Sequence, residues 1–153
     1  EREAARNNLD PAFVAAIVLN ESSFRSDAES SVGARGLMQV MADTAGDIGR
    51  QLNVSDYSFD MLYDADTNVA FGCYYLGRLS ERFRGDPVLV AAAYHAGAAE
   101  VQNWLNNSKY SKDGSSLILE NMEDGPTTQY ATRVRKDFAV YKRLYYESME
   151  DDA

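Results

Sequence analysis

Apolar residues recur at helical spacing along most of this chain, and the clearest case lies near its start. Phe13, Ile17 and Glu21 are four residues apart, so they share one face of a helix. Asp10 and Pro11 precede this pattern and form a strong start signal, because aspartate caps free N–H groups and proline fits the first turn. The pattern therefore predicts a helix that ends near Glu21, with this carboxylate on the side expected to be buried.

The rest of the chain also favours helices over strands. No clear run of alternating apolar and polar residues appears, so we expect an all-α fold. Residues 106–126 are polar and are predicted to form a loop or small flap, in which a minor two-strand excursion at residues 117–119 is left open. Further helices are predicted over residues 43–52, 67–84, 88–95, 98–106 and from 127 or 128 onward.

Length and composition indicate one compact domain. A chain of 153 residues with 45% hydrophobic residues can bury a core and is unlike a disordered protein. We therefore expect one domain over residues 1–153, with a disordered acidic tail over residues 147–153. The net charge of -9 argues against nucleic acid as a partner.

The single cysteine and single histidine limit the available chemistry. Cys73 falls on an apolar helical face, so we interpret it as a core residue rather than a catalytic thiol. The chain has one histidine, and its one acidic pair of ligand-like spacing, Asp64 and Asp66, is better explained as capping the next helix. We therefore expect no metal and no cofactor.

Glu21 becomes a candidate acid through the residues that follow it. A lone glutamate at a helix end is most often a solvated residue. Here a glycine-containing loop with serines and a glutamine, residues 30–39, is expected to fold back toward Glu21. An apolar setting favours the protonated carboxyl group, and uncharged hydrogen-bonding neighbours suit a hydroxyl-rich substrate such as a glycan.

Several motifs occur in a recognisable order: ESSF at 21–24, SSVGARGLMQ at 30–39, GCYYL at 72–76 and AAAYHAG at 91–97. Together they resemble the soluble lytic transglycosylase catalytic domain, a relative of goose-type lysozyme. The resemblance extends from about Leu9 to Tyr146. It implies a lysozyme-like α bundle with a substrate groove.

The resemblance also implies an activity, the cleavage of the β-1,4 bond between N-acetylmuramic acid and N-acetylglucosamine in peptidoglycan. Glu21 would act first as general acid and then as base, and a 1,6-anhydromuramoyl product would form without water. Two alternatives stay open: a muramidase that hydrolyses the same bond, and a non-catalytic glycan-binding or scaffold domain.

Supporting residues follow from the same resemblance. Ser30 matches a serine near the acid, Met38 and Gln39 match a groove-lining pair, and Tyr94 matches a tyrosine that approaches the acid and the acetamido group. The remaining matches in the predicted substrate-binding set are His95 and Tyr130.

Two departures from the family pattern concern this set. His95 stands where relatives usually have asparagine, which introduces pH dependence near neutrality. Residues 126–128, Pro-Thr-Thr, replace a Glu-Thr-Arg that often supplies a second acid, and Glu123 or Asp124 is the candidate substitute.

The expected partner is the glycan strand of peptidoglycan, so we expect an extracytoplasmic location. We also expect a monomer. The chain begins at Glu1 rather than methionine, and any membrane attachment would come from an N-terminal anchor outside it.

Overall fold

The computed structural model describes residues 1–150, with side chains through Tyr145. In this part of the chain, no strand is present, and the predicted all-α class is confirmed. The α-helices are α1 (Arg2–Arg6), α2 (Pro11–Ser22), α3 (Ala42–Gln51), α4 (Ala65–Arg82), α5 (Pro87–Ala96), α6 (Ala98–Leu105) and α7 (Pro126–Glu150). Helix α7 includes residues 147–150 of the expected tail, and residues 151–153 lie outside the described part.

Asp10-Pro11 marks a true helix start, and Asp86-Pro87 marks another. The Asp10 carboxylate accepts a hydrogen bond from the Ala12 N–H at 2.9 Å and caps α2. Asp86 does the same for α5, accepting from two backbone N–H groups at 2.9 and 3.0 Å. Each cap satisfies N–H groups that the helix itself cannot pair, and such caps contribute typically about 1 kcal/mol.

Three local features differ from the sequence-based expectation. Helix α1 and a 3₁₀ helix at Phe59–Tyr63 were not predicted, because five residues are too few to show a period. Residues 117–119 form no strand: the Ile118 N–H donates to the Tyr110 carbonyl at 2.8 Å, but Leu119 then begins a 3₁₀ helix that ends at Asn121.

The chain divides into two compact units, residues 1–77 and the chain from Arg78 onward. In the first unit, six of the seven α2 residues 12–18 are buried. This burial is expected, because the helix is apolar on nearly every side. Cys73 is also fully buried in α4, and this burial raises the pKa of its thiol to about 12.

In the second unit, α5 packs against α6 and α7. Five consecutive α5 residues, numbers 89–93, are buried, and Gly97 ends the helix with a φ of 91°. Tyr130 and Val134 of α7 are buried as their spacing predicts. No helix in residues 1–150 is long and apolar enough to cross a membrane.

Candidate functional site

Glu21 lies in the last turn of α2 and is half-buried. The helix stops one residue later, because Ser23 and Phe24 both adopt the left-handed conformation, with φ of 53° and 62°. Two consecutive non-glycine residues in this region are uncommon and cost free energy. This sharp turn fixes the Glu21 carboxyl group at the end of an apolar helix.

The Ser22 hydroxyl joins the end of α2 to the predicted loop. Its Oγ donates to the Leu37 carbonyl at 2.8 Å, and the serine is buried. The segment that follows Glu21 by about fifteen residues therefore returns to the same helix end. This places the loop that carries Ser30 and Gln39 beside the last turn of α2, as the motif spacing predicts.

Ser30 closes a tight turn within that loop. Its N–H donates to the Ala34 carbonyl at 2.9 Å, and its Oγ accepts from the Ala34 N–H at 3.0 Å. Gly33, at the corner, has a φ of 81°, which favours glycine. The Ser30 hydroxyl oxygen thus accepts a hydrogen bond within the loop, and the hydroxyl proton can still be donated to another group.

Asn68 holds the loop from the side of α4. Its Oδ1 accepts from the Met38 N–H, and its Nδ2 donates to the carbonyls of Arg35 and Leu62, each at 2.8 Å. Gly36 lies so close that a Cβ there would be 2.2 Å from Nδ2 of Asn68. No motif or period in the sequence assigns this role to Asn68.

Gln39 and Met38 differ in what they present to solvent. Gln39 has a φ of 50°, and its Nε2 donates to the carbonyls of Ala28 and Gly36 at 3.1 and 3.0 Å. Its amide nitrogen is thus committed to the loop, which leaves Oε1 as the group for an external donor. Met38 is fully buried, and a Cβ at Gly72 would lie 2.3 Å from its Sδ, so the methionine supports the loop from beneath.

Arg35 clamps the outer side of the loop. Its guanidinium lies 4.1 Å from the ring centroid of Phe59 and 4.8 Å from that of Tyr63. It pairs with Asp60 at 2.6 Å, whereas its Nε is 3.8 Å from Glu29 and makes no hydrogen bond there. The Tyr63 hydroxyl donates to Glu29 at 2.6 Å, which raises the pKa of Tyr63. The sequence carried no signal for this cluster.

The second unit contains the other predicted substrate-binding residues. Tyr94 is half-buried in the last turn of α5. His95 follows it and packs its ring on Tyr130, with centroids 4.8 Å apart. Its Nδ1 lies 2.9 Å from the Thr127 hydroxyl oxygen. Partial burial and the positive charge of Arg133 lower the pKa of His95 below its ordinary value of 6.5.

The residues that depart from the family pattern begin α7. Pro126 is its first residue, and the Thr128 hydroxyl donates to the Glu123 carbonyl at 3.0 Å. The Asp124 carboxylate accepts from Gln129 at 2.9 Å, and both acidic residues are exposed. Replacement of the family's second acid by either one stays a prediction. No group of three potential metal ligands occurs among residues 1–145, whose side chains the structure describes.

Comparison with known proteins identifies the family. The model of the transglycosylase SLT domain matches residues 1–117. The chain belongs to this family. It is 30% identical over 143 residues to a soluble lytic murein transglycosylase of Escherichia coli, covering 93% of this chain and 22% of that protein. The Salmonella typhimurium relative of the same name is 30% identical over 138 residues, or 90% of this chain and 21% of its own length.

Solved structures give the same result. An inactive mutant of the lytic transglycosylase Slt from Pseudomonas aeruginosa is 34% identical, with a TM-score of 0.84 over 95% of this chain and 23% of its own. The 70 kDa soluble lytic transglycosylase of Escherichia coli is 28% identical, with a TM-score of 0.82 and the same coverage. These matches confirm the resemblance and the lysozyme-like all-α class. The chain spans less than a quarter of the length of these relatives.

Proposed function

We propose that this chain is the catalytic part of a lytic transglycosylase that cleaves the β-1,4 bond between N-acetylmuramic acid and N-acetylglucosamine. The relatives named above supply the reaction class. The observation that carries the proposal is the position of Glu21. This carboxyl group is half-buried at the end of an apolar helix, beside a loop of uncharged hydrogen-bonding groups that Ser22 and Asn68 hold in place.

One carboxyl group suffices for the proposed reaction. Protonated Glu21 donates its proton to the glycosidic oxygen as the bond to the anomeric carbon breaks. The 2-acetamido group of the muramoyl unit stabilises the developing cation. Ionised Glu21 then takes the proton of the muramoyl 6-hydroxyl, whose oxygen bonds to the anomeric carbon. One C–O bond breaks, one forms, and no water is consumed.

The loop residues have supporting roles in this proposal. Ser30 retains a hydroxyl proton that can be donated to the substrate, because Oγ acts as an acceptor within the turn. Gln39 offers its Oε1 to a sugar hydroxyl, since its amide nitrogen is occupied. Met38 contributes by packing under the loop. In the second unit, Tyr94 and His95 are the proposed substrate contacts.

Tyr130 contributes mainly by positioning His95, because it is buried and stacks on the imidazole ring.

The replacement of the family's second acid by residues 126–128 supports the one-carboxylate route over hydrolysis, which needs a base to activate water. Peptidoglycan lies outside the cytoplasmic membrane, so an extracytoplasmic site of action is part of the proposal. That the protein acts as a monomer is a separate part of it.

The test is the reaction of Glu21→Gln with purified peptidoglycan. Glutamine keeps the shape of the side chain but has no acidic proton, so cleavage should fall below a few percent with an unchanged melting temperature. Glu81→Gln is a matched control, because Glu81 is also the penultimate residue of its helix but is exposed. The control should retain full activity. Substantial residual cleavage by Glu21→Gln would overturn the assignment of the acid.

Product analysis separates the two reactions. Mass spectrometry of the wild-type products in oxygen-18 water should find 1,6-anhydromuramoyl ends without the label. Reducing muramoyl ends that contain oxygen-18 would instead identify a hydrolase. The absence of any cleavage by the wild type, with retained glycan binding, would indicate a scaffold domain.

A further inference from the structure

A cavity of about 240 Å³ opens in the second unit, and its lining includes Glu123 and the first turn of α7, both described above. At one edge lies Thr127, whose hydroxyl also contacts His95. An occupant of the cavity would therefore lie close to a residue of the proposed substrate-binding set. The lining consists of Trp104, Tyr110, Met122, Glu123, Gly125, Pro126, Thr127 and Thr128.

Hydrogen bonds hold the loop part of the cavity wall. The Tyr110 carbonyl accepts the Ile118 N–H at 2.8 Å, and Asn121 donates to the Lys109 carbonyl at 3.0 Å. These bonds close the loop that carries Tyr110 and Met122. Trp104 lies in α6, whereas Pro126 and the threonines belong to the first turn of α7. The lining therefore combines a hydrogen-bonded loop with residues of two helices.

The chemistry of the lining favours a cation. Two aromatic rings and a thioether provide apolar walls, and Glu123 is the one charged residue among the lining residues. Its carboxylate is exposed and makes no hydrogen bond or ion pair with the described side chains. Aromatic faces together with a carboxylate attract an ammonium group, through the ring quadrupole and through opposite charge.

The size of the cavity limits its occupant. A volume of about 240 Å³ lies below the ~300–1,000 Å³ of sites that enclose whole ligands. One side chain fits this space better than a run of sugar rings. The alkyl part of such a side chain would contact Trp104 and Met122, while its ammonium group would reach Glu123.

We propose that this cavity binds the free primary ammonium group of a diamino acid in the peptide stem attached to the substrate glycan. This inference rests on the proposed function, because it takes the stem of peptidoglycan as the source of the amine. It gives the chain a means to distinguish strands with a free amine from strands in which the amine is cross-linked or acylated.

Lys109 provides an internal check on the sign of the charge. Its Nζ lies 5.0 Å from the ring centroid of Tyr110, so its positive charge opposes a cationic ligand. Removal of this charge in Lys109→Gln should tighten the binding of an amine. The same change would weaken the binding of an anion.

The experiment uses the intrinsic fluorescence of Trp104, which is the only tryptophan of the chain and lines the cavity. The whole chain is titrated with an N-terminally acetylated Ala-Glu-Lys-Ala peptide, and separately with the same peptide acetylated on the lysine side chain. We expect a saturable change with the free amine and binding at least fivefold weaker with the acetylated one.

Variants then assign the effect to the carboxylate. Glu123→Gln should weaken binding of the free amine three- to tenfold and abolish the difference between the two peptides. Glu120→Gln is the control, since Glu120 is exposed, lies on the neighbouring 3₁₀ helix and does not line the cavity. It should bind as the wild type does, and Lys109→Gln should bind more tightly.

Equal affinity for the two peptides, or wild-type affinity in Glu123→Gln, would overturn the proposal. So would a saturable response to N-acetylglucosamine oligomers that is indifferent to Glu123→Gln, because the cavity would then be a glycan site. Binding is measured without turnover, so a failure of the proposed cleavage reaction is detected separately, in the assay on peptidoglycan.

Discussion

Replacement of Asn68 by alanine tests whether the loop beside Glu21 depends on one buried side chain. Asn68 has no exposed surface and makes three hydrogen bonds, to the Met38 N–H and to the carbonyls of Arg35 and Leu62. Alanine removes all three and leaves their partners in a buried environment. The loop should therefore become less stable and should no longer be held in one position beside α2.

The expected cost can be worked out from those partners. The Arg35 carbonyl also accepts the Val40 N–H at 3.0 Å, so its loss is partly compensated. The Met38 N–H and the Leu62 carbonyl lose the bonds that Asn68 supplies, at about 1–3 kcal/mol each. The total of about 2–6 kcal/mol is a large share of the ~5–15 kcal/mol that stabilises an ordinary domain.

The assay is urea unfolding followed by far-ultraviolet circular dichroism. With a slope of about 1–3 kcal/mol per molar urea, the midpoint should fall by about 1 M or more. Asn103→Ala is the control, because Asn103 is exposed on α6, and its free energy of unfolding should change by less than about 0.5 kcal/mol.

A second variant reports on hydrogen-bond donation rather than on shape. Asn68→Asp keeps an acceptor for the Met38 N–H but directs a carboxylate oxygen at two carbonyls. Protonation restores one donor, so this variant should regain stability relative to the wild type as the pH falls from 7 to 5. An Asn68→Ala midpoint equal to that of Asn103→Ala would refute the bracing role of Asn68.

Three further predictions concern the site and its support. Tyr94→Phe and Ser30→Ala should each lower the rate on peptidoglycan about three- to tenfold, the value of one neutral hydrogen bond. Ser30→Ala should also lower the melting temperature, because it removes the acceptor of the Ala34 N–H. The pKa of His95 is lowered below 6.5 in the folded chain, so the unfolded chain binds its proton first; thermal melts should show the wild type losing stability relative to His95→Asn as the pH falls below about 6.5. Gly72→Ala should cost about 1–3 kcal/mol in urea unfolding, because the new Cβ would lie 2.3 Å from the Sδ of buried Met38.

These predictions have outcomes that contradict them. Wild-type rates with lowered melting temperatures would make Tyr94 and Ser30 structural residues. A pH-independent difference between wild type and His95→Asn would remove the titration argument. For Gly72, the control is Gly46→Ala in α3, where the nearest atom to a Cβ is an Arg50 side-chain nitrogen at 3.8 Å. That change should stabilise the chain slightly, because alanine favours helix.

The helices were predictable where their signals are local. Asp10 and Asp86 are each followed by proline, which is a local start signal, and both cap a helix in the structure. Helix α1 has five residues, too few to display a period, so it could not be predicted. The predicted start of α7 at residue 127 or 128 is one or two residues late, because Pro126 is the first residue of the helix and proline suits the first turn.

The site was predictable only in part, because its support depends on contacts between distant residues. Asn68 reaches residues 30 and 33 positions earlier, and no period in the sequence relates them. The burial of Met38 follows from the absence of a side chain at Gly72, which is visible only in three dimensions. Gln39 is predicted to line the groove, but with a positive φ its amide nitrogen donates to backbone carbonyls of its own loop.

Because Cys73 is buried, the reactivity of its thiol can report on local opening of the structure. A thiol with no exposed surface and a pKa near 12 is shielded from alkylating reagents at neutral pH. Labelling therefore proceeds only in those molecules in which α4 has left the core, and its rate measures how often this occurs. A cysteine introduced on the surface would react alone, so probes can be attached to this chain without first removing its native thiol.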